Sequence, residues 1–260
     1  MVSCLLVIVA LTGTQAAPAS LDSEASAAHV DNPVEVEAGF SYEWLSNSIA
    51  DWHSEFLEVS KVFGRRSALY GVLRQSRRFD LTDQEVVSGL SLPLHERWTT
   101  VYELSFSPTH RISPGWSALV GVQYNFLEGW NYGIDLRMGN YEHTSVTRFI
   151  QSVERYWGNF RGAYSLSLNT LWGAETVNSH QVAFNYYYAA KSSFGINYAM
   201  GLELERFGPV DIVSNHVIAL SLLGRHWFVP GWALSYEWGW GDVMNHYSRT
   251  GVRLGLRHEL

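Results

Sequence analysis

The chain has 260 residues, of which 17% are charged and 14% aromatic, and its formal net charge is −7. The acidic balance and the lack of any Lys/Arg run exclude a nucleic-acid binder, and no run of about 18 apolar residues is present to form a transmembrane helix. Cys4 is the only cysteine, so once an N-terminal segment is removed there is no disulfide, thiolate metal site or thiol nucleophile.

Residues 1–19, MVSCLLVIVALTGTQAAPA, read as a cleaved signal peptide. The apolar core from Cys4 to Leu11 is too short to span a bilayer as a helix, and small residues at Ala16 to Ala19 suit cleavage, although no Lys or Arg precedes the core. Too little apolar sequence precedes Cys4 for it to be a lipidated cysteine. Residues 20–33 are small, polar and acidic and read as a disordered leader. From Val34 to Leu260 the texture is uniform, which predicts one domain over 34–260.

That domain alternates with period two, the signature of strands whose side chains point to opposite faces. In VEVEAGFSYEW, Val34, Val36, Ala38, Phe40, Tyr42 and Trp44 oppose Glu35, Glu37, Gly39, Ser41 and Glu43. In WSALVGVQYNF, the phase of Trp116, Val120, Val122 and Tyr124 opposes that of Ser117, Gly121, Gln123 and Asn125. In GWNYGIDLRMG, Trp130, Tyr132, Ile134, Leu136 and Met138 oppose Asn131, Gly133, Asp135 and Arg137. NFRGAYSLSLNTLW, SFGINYAMGLELERF and GWALSYEWGWG repeat the pattern, with Glu203, Glu205 and Glu237 on their polar phases. In the terminal GVRLGLRHEL, Val252, Leu254 and Leu256 oppose Arg253 and Arg257, with Arg249 just upstream on the arginine phase.

These alternations run for about ten residues, the length of a tilted strand crossing a bilayer, whereas strands of soluble proteins cluster near five or six. Trp44, Trp52, Trp98, Trp116, Trp130, Trp157, Trp172 and Trp232 fall near strand ends, where aromatic girdles meet lipid headgroups. A secreted β-sandwich would also alternate, but it gives strand length, Trp placement and export no common cause. The expected fold is all-β: a transmembrane antiparallel up-and-down β-barrel with an even number of strands, about fourteen by the pattern, with twelve as the alternative count. Two stretches blur the alternation, 67–79 and 143–157, the latter carrying Arg148 and Glu154 among apolar residues. A charge on the lipid face at mid-bilayer costs about 2–4 kcal/mol, so these registers are expected to shift, bulge or begin outside the membrane.

With both termini periplasmic, the short turns FGRRS, FLEGW and YYAAKSS fall on that side. The longer SNSIAD, GNYEHTS, FGPVDIVS and GDVMNHYS fall outside the cell. ISPGW (112–116) and FVPGW (228–232) look like equivalent turns, yet a fourteen-strand count places them on opposite sides.

VERYWGNFR (153–161), SHQVAFNYYY (179–188), SPTHRISPGWS (107–117) and GRHWFVPGWALSYEWG (224–239) resemble the YaiO family of outer-membrane β-barrel proteins over about Val34 to Leu260. The resemblance implies localisation in the outer membrane of a Gram-negative bacterium, contact with its lipid and lipopolysaccharide, and insertion by the barrel assembly machinery. The family's molecular role is not established. Its related domains occur beside polysaccharide-handling domains, which points to a polysaccharide-related partner. Such barrels usually end in Phe; this chain ends in Leu260, on the lipid-facing phase, which should still serve recognition.

In a closed barrel the last strand pairs with the first. Arg249, Arg253 and Arg257 then approach Glu35, Glu37 and Glu43, with Glu237 on the other side, as a lumen ladder. Glu103, Asp135, Arg137, Glu203 and Glu205 are expected on other walls. Such rings either rigidify a filled interior or select solutes in a narrow pore; a purely structural or assembly barrel is the alternative. No catalytic constellation stands out, so an enzyme is not expected. His53–Ser54 and Ser179–His180 are neighbours on strands and point to opposite faces, while His143 and Ser145 lie on an expected loop. No cofactor or metal site is expected.

Overall fold

The computed structural model describes residues 4–6, 33–64, 66–173, 175–189, 191–207, 211–244 and 246–260, with the backbone alone at 4–6, 204–207 and 211–213. Most of the expected signal peptide and nearly all of the leader lie outside the described residues. Fourteen strands form the barrel: β1 (Val34–Leu45), β2 (Trp52–Gly64), β3 (Ser67–Arg78), β4 (Leu81–Pro93), β5 (Trp98–Phe106), β6 (Trp116–Leu127) and β7 (Trp130–Asn140), then β8 (Ser145–Trp157), β9 (Phe160–Leu171), β10 (Thr176–Tyr188), β11 (Ser192–Phe207), β12 (Asp211–Val229), β13 (Trp232–Val243) and β14 (Tyr247–Glu259). Each pairs antiparallel with its sequence neighbour, and β14 pairs with β1 to close the ring. The alternative of twelve strands is therefore set aside. A three-residue strand, Cys4–Leu6, lies against Glu205–Phe207 outside the ring.

Closure follows from the sequence period. Every strand has one face rich in aliphatic and aromatic side chains, and most of the exposed large hydrophobics, such as Phe40, Leu73, Leu104, Val120, Leu136, Tyr198 and Leu256, lie on it. A two-residue repeat turned outward all round leaves the opposite phase to line the interior, and closure removes every free edge.

The start of β1 and the end of β14 lie at one end of the barrel, here the terminal end, and its connections are tight. Gly129 and Gly231 adopt φ of 71° and 76°, a region glycine enters without a Cβ clash. Register shifts occur at Val62/Gly64, Asn125/Leu127 and Trp227/Val229, all beside terminal-end turns. The opposite, loop end carries the connections 46–51, 79–80, 107–115, 141–144, 172–175, 208–210 and 244–246. FGRRS, FLEGW and YYAAKSS lie at the terminal end and the four longer segments at the loop end. Within FGPVDIVS, strand structure runs to Phe207 and resumes at Asp211.

Three expectations change. ISPGW and FVPGW are on opposite ends because they are different structures. Pro230–Gly231 is a tight turn with glycine at positive φ, whereas Pro114–Gly115 closes a loop over 107–115, and Gly115 is not among the positive-φ glycines. Neither blurred segment needs a bulge at its charges. On β8, Arg148 and Glu154 share the lumen phase with Val146 and Ile150, and the pairings with β7 and β9 are continuous. On β3, Tyr70, Val72, Arg74, Ser76 and Arg78 face inward, again with continuous pairing to β4. The alternation is blurred there because apolar side chains occupy part of the lumen face. Trp52 is the third correction. It is not in a girdle but faces the lumen, 1% exposed, in a cluster with Val217, Val243 and Tyr247.

Candidate functional site

The lumen face of the closing seam carries the densest charge. Arg257 stands opposite Glu37 in the β14–β1 ladder, and Glu37 stands opposite Glu58 in the β1–β2 ladder. Like charges placed directly opposite repel, so the two carboxylates need a cation between them. Arg257 supplies it: Nε donates to Glu37 at 2.6 Å, Nη2 to Glu58 at 2.9 Å and Nη1 to Glu35 at 2.5 Å. Glu37 is 2% exposed and also accepts from Arg253 Nη2 at 3.2 Å and from the Ser235 hydroxyl at 3.1 Å. Arg253 lies 4.1 Å from the centroid of the Phe56 ring. Arg249 donates to Glu43 at 3.3 Å and lies over the Trp52 ring.

Gly251 and Gly255 make this crossing of side chains possible. A Cβ at Gly255 would sit 3.0 Å from Glu37 Cδ, and one at Gly251 would sit 2.7 Å from Glu43 Cγ. The glycines between the arginines are the floor over which the carboxylates of β1 reach across the seam.

Other walls carry separate networks. Glu103 on β5 accepts from Arg137 on β7 at 2.6 Å, across β6, and from the Tyr70 hydroxyl. Arg161 pairs with Glu154 at 2.5 Å and donates to Asn185 at 3.0 Å. Arg148 Nε donates to Asn169 at 2.7 Å, and Arg74 lies 3.5 Å from Glu85. Asp135 is in the lumen opposite Gly121. Glu237 is opposite Arg253 in register but makes no ion pair within 4 Å among the described residues. Glu203 is buried on the lumen face. Glu205 shares its phase, and its side chain lies outside the described residues. Glu58, Arg74 and Arg161 were not singled out in the sequence, and Glu154 only as a charge in a blurred stretch; the Glu37–Glu58 juxtaposition, had the β1–β2 register been known, would have demanded the cation that Arg257 provides.

Apolar groups interrupt the polar lining. Phe56, Val72 and Val87 form an inward cluster on β2–β4. At the loop end, Ile49 and Phe79 pack onto the cluster around Trp52, and Arg78 lies 5.0 Å from the Trp52 ring centroid. Phe79 and Asp80 both have positive φ, a tight turn in which the Phe79 ring meets Trp52 edge-on at 5.1 Å. Tyr141, in the loop after β7, packs against Val146, Leu171 and Val177. Burial pushes its phenol above the ordinary range, opposed by the positive charge of Arg148. Loop 107–115 is held down by Asp83, whose Oδ2 accepts from the Ile112 and Ser113 amides at 2.7 and 2.8 Å. Because β4 extends beyond the end of β5, this loop covers an edge that would otherwise lack a partner.

The Ser–His neighbours point apart. His53 and His180 are on the outer phase, His180 bonded to the Tyr164 hydroxyl at 2.8 Å. Ser54 and Ser179 face inward, Ser54 against Ser41 at 2.7 Å. Ser145 accepts from Asn140 at 3.2 Å, and His143 lies 3.7 Å from Glu142.

An outward belt of apolar and aromatic residues around a charged interior defines an outer-membrane β-barrel in contact with outer-membrane lipid. The chain belongs to a family of such barrels: the model of the YaiO membrane beta barrel domain matches residues 34–205. No curated protein matches the chain. Among solved structures it is similar to a bacterial polysaccharide outer membrane secretin, with TM-score 0.55, 10% identity, 89% of this chain and 99% of that one covered. It is also similar to the CymD monoaromatic hydrocarbon channel, with TM-score 0.57, 10% identity and 88% of each chain covered. The translocator domain of the autotransporter NalP from Neisseria meningitidis gives TM-score 0.51, 8% identity, 89% of this chain and 90% of that one. At these identities the likenesses show the fold.

Proposed function

We propose that this barrel is a narrow outer-membrane pore for small polar solutes or saccharide chains, oriented with its termini in the periplasm. The observation that carries it is the partial exposure of charges inside the ring. The side chains of Arg137, Arg74 and Arg253 are 34%, 25% and 20% exposed although they point inward, which supports a wetted interior. Charges of both signs along one wall suit solutes that exchange water for hydrogen bonds to guanidinium and carboxylate groups. The fold likeness to a polysaccharide outer membrane secretin is consistent with a saccharide cargo and an envelope polysaccharide partner. Insertion by the barrel assembly machinery is part of this reading, and catalysis is not; turnover of lipid or glycolipid by the purified barrel would overturn that part.

A second reading, a structural or assembly barrel with a plugged lumen, is favoured by the inward cluster of Phe56, Val72 and Val87 and by the packing around Trp52. Planar-bilayer conductance of the refolded mature chain separates the two. Reproducible steps whose ion preference changes in Arg137→Gln and Arg253→Gln are expected for the pore. A barrel that shows heat-modifiable migration but stays silent would leave the plugged reading standing.

A further inference from the structure

The outer surface is not uniform. On three consecutive strands the apolar belt fails toward the loop end. The outward rows there are His53, Arg77 and Thr82, and next to them Glu55, Gln75 and Gln84. His53, Glu55, Gln75, Arg77 and Gln84 are all exposed. Glu55 makes no hydrogen bond or ion pair among the described residues, Gln84 donates to Gln75 at 3.3 Å, and Arg77 has only the exposed Asp80 at 3.0 Å. Neighbouring outward positions nearer the terminal end return to Leu57, Leu73 and Val86. The same strands β2–β4 present no outward Trp or Tyr, whereas Trp44, Trp98 and Trp116 flank them at the girdles.

On the outward face bordering the apolar row of Leu57, Leu73 and Val86, an unpaired carboxylate and the hydrogen-bonding side chains around it raise the free energy of a lone barrel. A partner that pairs them removes that cost. We infer that the β2–β4 face is an interface with a second copy of this chain, the two barrels standing side by side in the membrane. The patch is self-complementary: on adjacent rows it holds the carboxylate of Glu55, the guanidinium of Arg77 with Asp80 beside it, and the imidazole of His53, so rotation about an axis along the membrane normal brings Glu55 of one barrel toward Arg77 and His53 of the other. Closed cyclic symmetry of this kind uses the same patch on both subunits. Beyond the row of Leu57, Leu73 and Val86 toward the terminal end, the outward Gly71 and Ser88, with Ala38 next to Leu57, let the two walls approach. Lipopolysaccharide is the other ligand at this depth, but its phosphates call for a surplus of cations, and Glu55 and Asp80 cancel the charge here.

The test is cysteine cross-linking in native outer membranes, where each variant's heat-modifiable migration reports folding. Gln75→Cys is expected to give a disulfide-linked dimer, while Leu166→Cys, on the outer face of β9, is expected to stay monomeric. In detergent, Glu55→Arg and Arg77→Glu singly should each convert dimer to monomer, and the double exchange should restore the dimer. Equal cross-linking at both positions, dimers indifferent to the charge changes, or a monomer that carries lipopolysaccharide lost in Arg77→Glu would each overturn the assignment.

Discussion

Arg257 is the most heavily engaged charge in the barrel, and its removal makes the sharpest prediction. The guanidinium is almost wholly buried and touches Glu35, Glu37 and Glu58. Arg257→Leu leaves Glu37 in a buried site with Arg253 as its remaining ion-pair partner among the described residues, Arg225 acting on it from further away, and leaves Glu58 directly opposite Glu37 without the guanidinium that bridged them. Breaking a buried pair by removing one partner typically costs about 3–5 kcal/mol. The partial exposure of Arg253 and Glu35 and the retained Arg253 contact reduce this, so the expected loss is about 2–3 kcal/mol, just below that range. Urea titration of the refolded barrel, followed by tryptophan fluorescence and by heat-modifiable migration, reads it as an earlier midpoint. Adding Glu37→Leu to Arg257→Leu should recover part of the loss, because an apolar pair no longer strands a carboxylate. A single variant within about 0.5 kcal/mol of the parent, the usual scale for featureless surface changes, would refute the view that the seam is held by these ion pairs.

Trp52→Ala should cost about 3–5 kcal/mol as a core truncation, and Trp172→Ala, at a residue 80% exposed, should leave the urea midpoint nearly unchanged. Gly255→Val should lower stability by about 1–3 kcal/mol through overpacking against Glu37, read in the same titration. Asp83→Ala removes the acceptor for two loop amides, and trypsin should then cut after Arg111 at least several-fold faster than in the parent, with the barrel still heat-modifiable. Raising salt should weaken the exposed Arg77–Asp80 pair far more than the buried seam, so the stability lost in Arg257→Leu should persist at high ionic strength.

Much of the wall was legible because its information is local. A strand such as Trp232–Val243 declares its faces within a few residues, since Trp232, Leu234, Tyr236, Trp238 and Trp240 all fall on one phase. β2 does not. WHSEFLEVSKVFG puts Trp and Phe on one phase and Leu and Val on the other, with a Glu on each, so neither phase is visibly the lipid face. That is why Trp52 reads as a girdle residue until β12–β14 bring Val217, Val243 and Tyr247 against it. The partners of Arg257 depend on which residue stands opposite which across two ladders, and period-two alternation carries phase but not register. The ISPGW and FVPGW pair shows a further limit: the Pro–Gly dipeptide alone does not say whether the glycine takes positive φ.

Thirteen of the fourteen strand pairings in the ring join neighbours in the chain, and each can form as soon as its hairpin exists. The fourteenth must bring together residues 220 positions apart, as Arg257 and Glu37 are. Chain-closure entropy is concentrated at that one line, and an incomplete ring would expose two unpaired strand edges. The arginines and carboxylates sit along it, so the strongest attraction in the wall acts where the chain has most freedom to lose. The charged seam is in this sense a latch: it gains its contacts only when the ring is complete, and it opposes opening at the one joint that no hairpin holds.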